Sequence, residues 1–522
     1  MDDNSIIIIG AGFAGLSAGI YAQMNGYHTQ IFEMHNLPGG LCTAWKRKGY
    51  TIDGCIHWLV GSSPESGMYR YWEEVGVAQG RQFVDMDEFL RFEGADGRTF
   101  VLHCDVDRLE KHMLALSPQD ADVTREFIGG IRLCLELDQP SESDPWLKRL
   151  QKIVKAGWLM ATRGREFQRW MKTTADELAA RFSDPLIRDA LREMWFPEFS
   201  MFFMLFTLAY LNNRNAGYPI GGSLPMSRAM AQRYLDLGGE IHYNSRVERI
   251  LVDARPTCGG AHPSSGTGPD GGDDRAVGVR LVDGSEHRAG RVISAADGHA
   301  TIFKMLDGKY VDEEVRKPYE EWPIFPPLLF VGVGVNRTFP DVPHMVSGIS
   351  FPLRRPTEIG DAVHERITAH IFNQDPTLAP EGKTSLVVMM PSDYAYWREL
   401  VEDRAAYDEK KDQVARTIVE LLEQRFPGIS RQVEMVDVAT PLTFERYTGN
   451  WQGSFEGWLI TPENSYTMMR PMSQTLRGLE NCYMCGQWVQ PGGGLSTGVM
   501  SARRLLPAIC KEDGKKFHTT AA

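Results

Sequence analysis

The clearest chemistry in the chain lies between residues 6 and 33. Gly10-Ala-Gly12-Phe13-Ala14-Gly15 follows the β-branched run Ile6-Ile-Ile-Ile9 without a gap, and Glu33 stands 18 residues after Gly15. These residue types at this spacing suit a dinucleotide. Gly10 permits a tight turn, Gly12 lets the backbone approach a pyrophosphate, and Gly15 allows a helix to pack closely on the strand. Phe13 and Ala14 lie between these glycines, ahead of a helix whose unpaired N-terminal N–H groups and positive dipole end favour phosphates. Glu33 can hydrogen-bond an adenosine ribose and would repel a 2′-phosphate. Met34, beside it, belongs to the same candidate set.

The elements that must position these residues can be read around them. Residues 6–9 predict a buried parallel strand. Residues 16–25 predict a helix ending at Gly26, and residues 29–32 predict a second strand that delivers Glu33. Strand, glycines, helix, strand and acid in this order are specific where a lone glycine pattern is weak. The same glycine pattern recurs at Gly266-Thr-Gly268-Pro-Asp-Gly271, inside a Pro/Gly/Ser/Asp-rich tract at 255–274. No strand precedes it and no helix follows, so the tract predicts an exposed loop joining two strands. One dinucleotide fold is therefore expected, with no second domain to hold a nicotinamide. Electrons would then pass to or from an external acceptor or donor.

Leu37-Pro38-Gly39-Gly40 places a second glycine pair after the acid, which resembles FAD proteins of the glutathione-reductase and amine-oxidase type. The stretch from Gly39 through Leu41, Cys42 and Trp45 to Tyr50-Thr-Ile-Asp53-Gly54-Cys-Ile-His57 resembles the phytoene desaturase, carotenoid isomerase and retinol saturase family. Three further blocks are similar to that family: Tyr218-Pro-Ile-Gly-Gly222-Ser, Gly238-Gly-Glu-Ile-His-Tyr-Asn-Ser-Arg-Val247, and the segment from Gly478 through Gly486, Gln487 and Gly494 to Ser501 and Arg503. Residues 292–297 and 440–447 agree more weakly. The resemblance implies bound FAD, with the backbone at Val247 meeting the adenine. It also implies that Gly39 and Gly40 lie at the cofactor, and that Gly486, Gln487, Gly494 and Leu495 close over the pyrophosphate and isoalloxazine. Many relatives carry a basic residue after the second glycine pair; Leu41 here offers the phosphates no charge.

The fold class implied is α/β: a discontinuous Rossmann-type FAD-binding domain (residues 1–80, 215–315 and 437–522) with an α+β substrate domain and helical cap (81–214 and 316–436). Strands are expected at 89–92, 99–103, 328–335, 366–372 and 385–390, with helical turns at 105–134 and a helix at 405–426 that stops at Pro427-Gly428. The function implied is an FAD-dependent oxidoreductase acting on C–C and C=C bonds of a long apolar polyene or isoprenoid-like lipid. Two alternatives stand beside it: an amine-oxidase-type flavoprotein oxidase, and a non-enzymatic lipid carrier on the same fold. The carrier class does not need an intact phosphate loop, and here all three glycines and Glu33 are present.

His57 follows the Asp53-Gly54 turn and is a weak candidate for acid–base work or substrate orientation, against a hydrogen-bonded structural histidine. Cys482-x-x-Cys485 reads as two thiols on one strand rather than a redox pair. No metal or hydrolase template is present. Residues 195–211 hold six Phe or Trp and two Met, a pattern shared by a buried core and by the wall of an apolar substrate site. Residues 147–172 mix eight Lys or Arg with one Glu, interleaved with large apolar side chains such as Ile153, Val154, Trp158, Leu159, Met160, Phe167 and Trp170. That suits either an amphipathic helix pair with a solvated basic face or peripheral membrane contact. Gly157 and Gly164 are expected to interrupt the helix.

Composition bounds the rest. A chain of 522 residues with 43% hydrophobic and 24% charged residues has the profile of an ordinary globular protein of two or three units. Its net charge of −12 argues against nucleic acid as a partner. Eight scattered cysteines make no disulfide framework and point to a reducing, cytoplasmic location. The acidic first residues do not read as a targeting segment, and the longest apolar stretch, 199–211, is too short to span a bilayer.

Overall fold

The computed structural model describes residues 4–137, 146–254 and 274–519. The second glycine pattern, at 266–271, lies outside the described residues. The strands on either side of its tract, Val247–Asp253 and Asp274–Leu281, pair antiparallel.

The isoleucine run forms the strand Ser5–Ile9, whose Ile6, Ile7, Ile8 and Ile9 are all buried. It is the middle of a five-stranded parallel sheet in the order Glu240–His242, His28–Phe32, Ser5–Ile9, Arg291–Ser294, Cys482–Met484. Ile9 is in register with Phe32 on one side and Ser294 on the other. Burial on both faces is what a continuous β-branched run serves in a parallel sheet. The strands come from three distant stretches of chain, so the sheet closes only when both ends and the middle meet.

The helix after the glycines spans Phe13–Met24, beginning three residues before the position expected from apolar pattern alone. Gly12 in extended conformation serves as its N-cap. The helices Ser223–Asp236 and Gly494–Glu512 pack against it.

A second, seven-stranded sheet has the order Val433–Ala439, Leu328–Val335, Thr384–Pro391, Ala362–Ile371, Met345–Ile359, Glu88–Glu93, Thr99–His103. All its pairings are antiparallel except Met345–Ile359 with Glu88–Glu93. The helix Arg404–Arg425 covers it, burying Val414, Ile418, Leu421 and Leu422 against the sheet. The strands at 345–359 and 433–439 have no counterpart in the sequence reading. The first carries Gly348 and Pro352, and its register with Ala362–Ile371 shifts after Pro352, so its alternation is broken.

The 105–134 region is two helices, Val106–Leu116 and Ala121–Leu135, divided at Ser117-Pro118. Residues 146–172 are one helix rather than an interrupted pair. Gly157 and Gly164 meet nothing within 4 Å, and a solvated glycine costs a helix only about 1 kcal/mol, too little to break 27 residues.

Candidate cofactor and substrate site

Gly10 leaves the first strand with φ +95° and donates its N–H to the Phe32 carbonyl at 2.8 Å. A side chain on Gly15 would collide with the Gly10 carbonyl, so the third glycine lets the helix sit on the turn. Gly12 differs: a Cβ there would come no nearer to the protein than 3.9 Å, to the Gly39 carbonyl. The space beside Gly12 is kept open, and the protein does not use it for packing. Gly12 and Gly39 form a parallel bridge, and Gly39 donates to the Ala11 carbonyl at 2.8 Å. Gly40 adopts φ +59° and faces the Cα of Gly12. Leu41, half-buried, packs on the core behind.

Glu33 is buried and accepts from the N–H groups of Ala11 at 2.6 Å and His35 at 2.8 Å. Burial raises its pKa, opposed by the N–H groups of Ala11, His35 and Met34. The Met34 sulfur lies beside Gly449. Glu33 also ties in the next strand, because Ser245 donates to its carbonyl at 2.8 Å, and Val247 follows two residues on, buried against Ile7, Ile9 and Phe32.

The C-terminal block arrives at the same place. Gly486 has φ +105°, donates to Ser501 Oγ at 2.8 Å and lies against Ala14. Gly498 faces the N–H of Ala14, so the N-termini of the helices starting at Phe13 and Gly494 converge. Gly492, Gly493 and Gly494 all have positive φ. Gln487 packs on Gly457, and Leu495 is half-buried on the core. Phe13 packs edge-on against Trp72.

Asp53 locks two of the motifs together. Its carboxylate accepts from the N–H groups of Cys55, Ile56 and Ser223 and from Ser223 Oγ, at 2.6–3.1 Å. Burial raises its pKa against these bonds. His57, four residues on, is paired in a way the sequence did not show. Its Nδ1 lies 3.0 Å from the Val346 carbonyl and 2.9 Å from Nδ1 of His370. A carbonyl only accepts, so His57 Nδ1 carries the hydrogen and His370 Nδ1 accepts, which leaves the His370 Nε2–H buried without a partner. Burial lowers the pKa of both rings, that of His370 far below the usual range. His57 is thus a pinned, neutral imidazole, with no protein bond to Nε2 among the described residues. Cys482 and Cys485 are buried free thiols, each pushed up to about 12 by burial, which makes them poor nucleophiles.

The aromatic run divides by face. Phe199, Met201, Met204, Leu205 and Leu208 are buried core, whereas Phe202, Phe203, Phe206 and Tyr210 keep part of their surface open. Trp195 stacks on Phe199 at 5.0 Å and meets Trp58 edge-on, and Phe325 joins Phe199 to Phe455. Phe203 lies against Gly492, so this wall runs up to the glycine-rich turn. Glu456, absent from the sequence reading, follows Phe455 at that turn. A loop carboxylate with no motif around it gives no sequence signal. Two open surface hollows, one beside Tyr396, Leu400 and Asp403 and one beside Ile7, His28 and Arg288, touch none of these glycines.

Residues 13–506 match the family described as flavin containing amine oxidoreductase. The chain belongs to that family. Among curated relatives it is 23% identical to a phytoene desaturase (neurosporene-forming) of Rhodobacter capsulatus over 99% of this chain and 95% of that one. It is 23% identical to a chloroplastic prolycopene isomerase of Arabidopsis thaliana over 96% and 82%. Its fold resembles an oxidoreductase from Methanosarcina mazei (TM-score 0.58, 15% identity, 96% of this chain and 99% of that one) and putrescine oxidase bound to putrescine (0.59, 14%, 97% and 99%). The relatives match the resemblance drawn from the sequence motifs, and the structural neighbours share the α/β flavoprotein fold.

The protein is therefore an FAD-dependent oxidoreductase, and its geometry suits that group. The open space at Gly12, the facing glycines at 39–40 and two converging helix N-termini make a backbone cradle for an anionic linker. Bound FAD supplies two-electron transfer at its isoalloxazine. The protein's own part is to orient, to exclude water and to hold protons. Among the described residues no helix is long and apolar enough to cross a membrane, and no group of three or more His, Cys, Asp or Glu is placed to hold a metal ion.

Proposed function

We propose that this enzyme acts on C–C or C=C bonds of a long apolar polyene or isoprenoid-like lipid, by desaturation, saturation or isomerisation. One observation carries the reading: the partly open aromatic wall of Trp58, Trp195, Phe203 and Phe455 reaches the Gly492–Gly494 turn. Flat, weakly polar rings suit an extended hydrocarbon and give a small polar substrate little to bind. The activities of the carotenoid relatives, a phytoene desaturase and a prolycopene isomerase, support the same class. Gly10, Gly12, Phe13, Ala14, Gly15, Glu33, Met34, Gly39, Gly40, Leu41, Val247, Gly486, Gln487, Gly494 and Leu495 are the residues assigned to FAD, and 1–80, 215–315 and 437–522 the segments of its domain. Electrons exchange with an external partner such as a quinone.

The test is to extract the purified protein with organic solvent, then mix it anaerobically with a polyene in mixed micelles. Released flavin with a co-purifying apolar lipid, and turnover of the polyene with oxidised or reduced flavin, are expected. Flavin reduction by simple amines with no polyene turnover would overturn the reading in favour of an amine oxidase.

The apolar substrate also requires a lipid source, and the helix Trp146–Lys172 offers a face for it. Trp146, Leu147, Leu150, Ile153, Val154 and Trp158 are exposed by 49–73%, with Arg149 and Lys155 among them and Arg165 and Lys172 further along the helix, all four exposed. Its buried Phe167 meets Phe202 edge-on, which joins the helix to the aromatic helix Met201–Asn212. Peripheral attachment to an anionic membrane through this helix is part of the proposal. Each basic residue at such a surface contributes about 1 kcal/mol. The protein should float with anionic liposomes at low salt, and replacing these four residues by Gln should abolish flotation; unchanged flotation would refute the helix as the docking face.

A further inference from the structure

Glu456 is a deep carboxyl group for which the fold provides no counter-charge. It sits on the turn between Ser454 and Gly457, where Gly457 has φ +75° and donates its N–H to Ser454 Oγ at 3.2 Å. A side chain at Gly493 would collide with its carboxylate, and Gly494 supplies its one backbone N–H. The titratable group facing it is the half-buried Cys55 thiol, itself hydrogen-bonded to Cys42 and held well above its usual range. Asp53 stands behind Cys55 and is spent on Ser223 and the loop N–H groups. Among the described residues no basic side chain acts on Glu456. It lies deep in the molecule yet keeps part of its surface open, as expected of a group lining an internal site. Burial pushes its pKa up to about 7, where a group can both take and return a proton near neutrality. The buried carboxylates of Glu33 and Asp53 each accept two or more hydrogen bonds; Glu456 is not held in that way.

Resting on the polyene reading above, we propose that Glu456 is the catalytic residue that exchanges a proton with the substrate carbon chain. In the desaturating direction bound FAD would supply the two-electron acceptor, so that one carbon would lose its hydrogen with the bonding pair, as hydride. The neighbouring carbon loses hydrogen as a proton to the Glu456 carboxylate, and the electron pair left behind becomes the second bond of the alkene. The two electrons lost by the substrate would be those the flavin takes up, and the proton would pass from Glu456 to water. Saturation is the reverse. Departure of hydride makes the adjacent C–H strongly acidic, so a weak carboxylate base is sufficient, and its negative charge stabilises the carbon cation in a site poor in other charges.

Two measurements on the flavin-loaded protein test this. The first is a carbon-13 titration of glutamate-labelled wild type and Glu456→Gln. A carboxyl midpoint near 7 that vanishes in the variant is expected; a midpoint for Glu456 in the ordinary range near 4.5 would overturn the assignment whatever the substrate proves to be. The second is single-turnover reaction with a micellar polyene, using oxidised and separately reduced flavin. Glu456→Gln should keep its flavin content and visible spectrum, lose about 100-fold or more in rate, and lose the pH dependence centred near 7; Glu456→Asp should recover part of both. A variant that turns over the polyene at the wild-type rate removes Glu456 from the chemistry and leaves the polyene reading standing. A wild type with the expected titration but no polyene turnover overturns the polyene reading, and the proton-exchange role falls with it.

Discussion

The glycine loop at residues 10–15 and the turn at 454–457 each place a deep carboxylate beside backbone, and they treat it in opposite ways. Glu33 receives N–H groups from the loop and from the strand end that it joins, so the half of the site formed by backbone is complete in the protein itself. Glu456 receives one N–H. The aromatic wall near it leaves a polar atom unserved, because Trp195 Nε1 is buried without a partner among the described residues. Such groups normally find a bond when buried. The contrast shows that the first region is built for tight, preformed contact, whereas the second is built of large side chains that tolerate an open, incompletely satisfied surface.

The contrast breaks or holds first at the glycines. Gly15→Val should cost about 3 kcal/mol or more, because its Cβ collides with the Gly10 carbonyl rather than with a movable side chain. Gly12→Ala should cost the flavin-free protein no more than the ~1 kcal/mol of a poorer N-cap, since nothing lies within 3.9 Å of the added methyl, yet weaken FAD binding at least about tenfold, or about 1.4 kcal/mol. Thermal unfolding of the flavin-free proteins and flavin titration separate the two effects. Equal losses of stability would show that the space at Gly12 is packing space and not a binding cradle.

Glu456 gives the next largest effect. Its pKa is raised from 4.5 to about 7 in the folded protein, so the folded state holds the proton more tightly than the unfolded. Its cost to stability is absent below pH 4.5, grows as pH rises, and is complete above pH 7. The full shift corresponds to about 3 kcal/mol as an upper figure. Glu456→Gln should therefore stabilise the flavin-free protein at pH 8 and leave it unchanged at pH 4.5. Denaturant unfolding at the two pH values reads this directly, and a variant with the same stability gain at both would remove the charge from the explanation.

The smallest effect belongs to the wall. Trp195→Phe keeps a ring to stack on Phe199 and removes an N–H that has no partner, so stability should change by less than about 1 kcal/mol in either direction. A loss of several kcal/mol would mean that the wall is as tightly specified as the glycine loop.

The cofactor half was legible because its chemistry is carried by the backbone. Only glycine fits at Gly15 and only an extended, β-branched strand suits the centre of a parallel sheet, so Ile6–Ile9 and the three glycines announce their roles locally. The pairing of His57 with His370 was not legible: the two rings are 313 residues apart and meet only through the second sheet. The strand Met345–Ile359 was hidden for a related reason, since its Gly348 and Pro352 break the alternation that a pattern search needs. Likewise the unbroken helix Trp146–Lys172 overrides two glycines whose local cost is small beside the cooperativity of a long helix.

The sequence by itself determined the cofactor class, the glycine geometry and the family, because those depend on backbone conformations that few residue types permit. Tertiary structure alone decided which side chains meet at the Gly492–Gly494 turn. Glu456 acquires its meaning from Gly493, Gly494 and Cys55, and Phe203 from Gly492. None of those contacts is local in the chain. A pKa or an open face is a property of the surroundings, and only the folded arrangement of distant segments creates them.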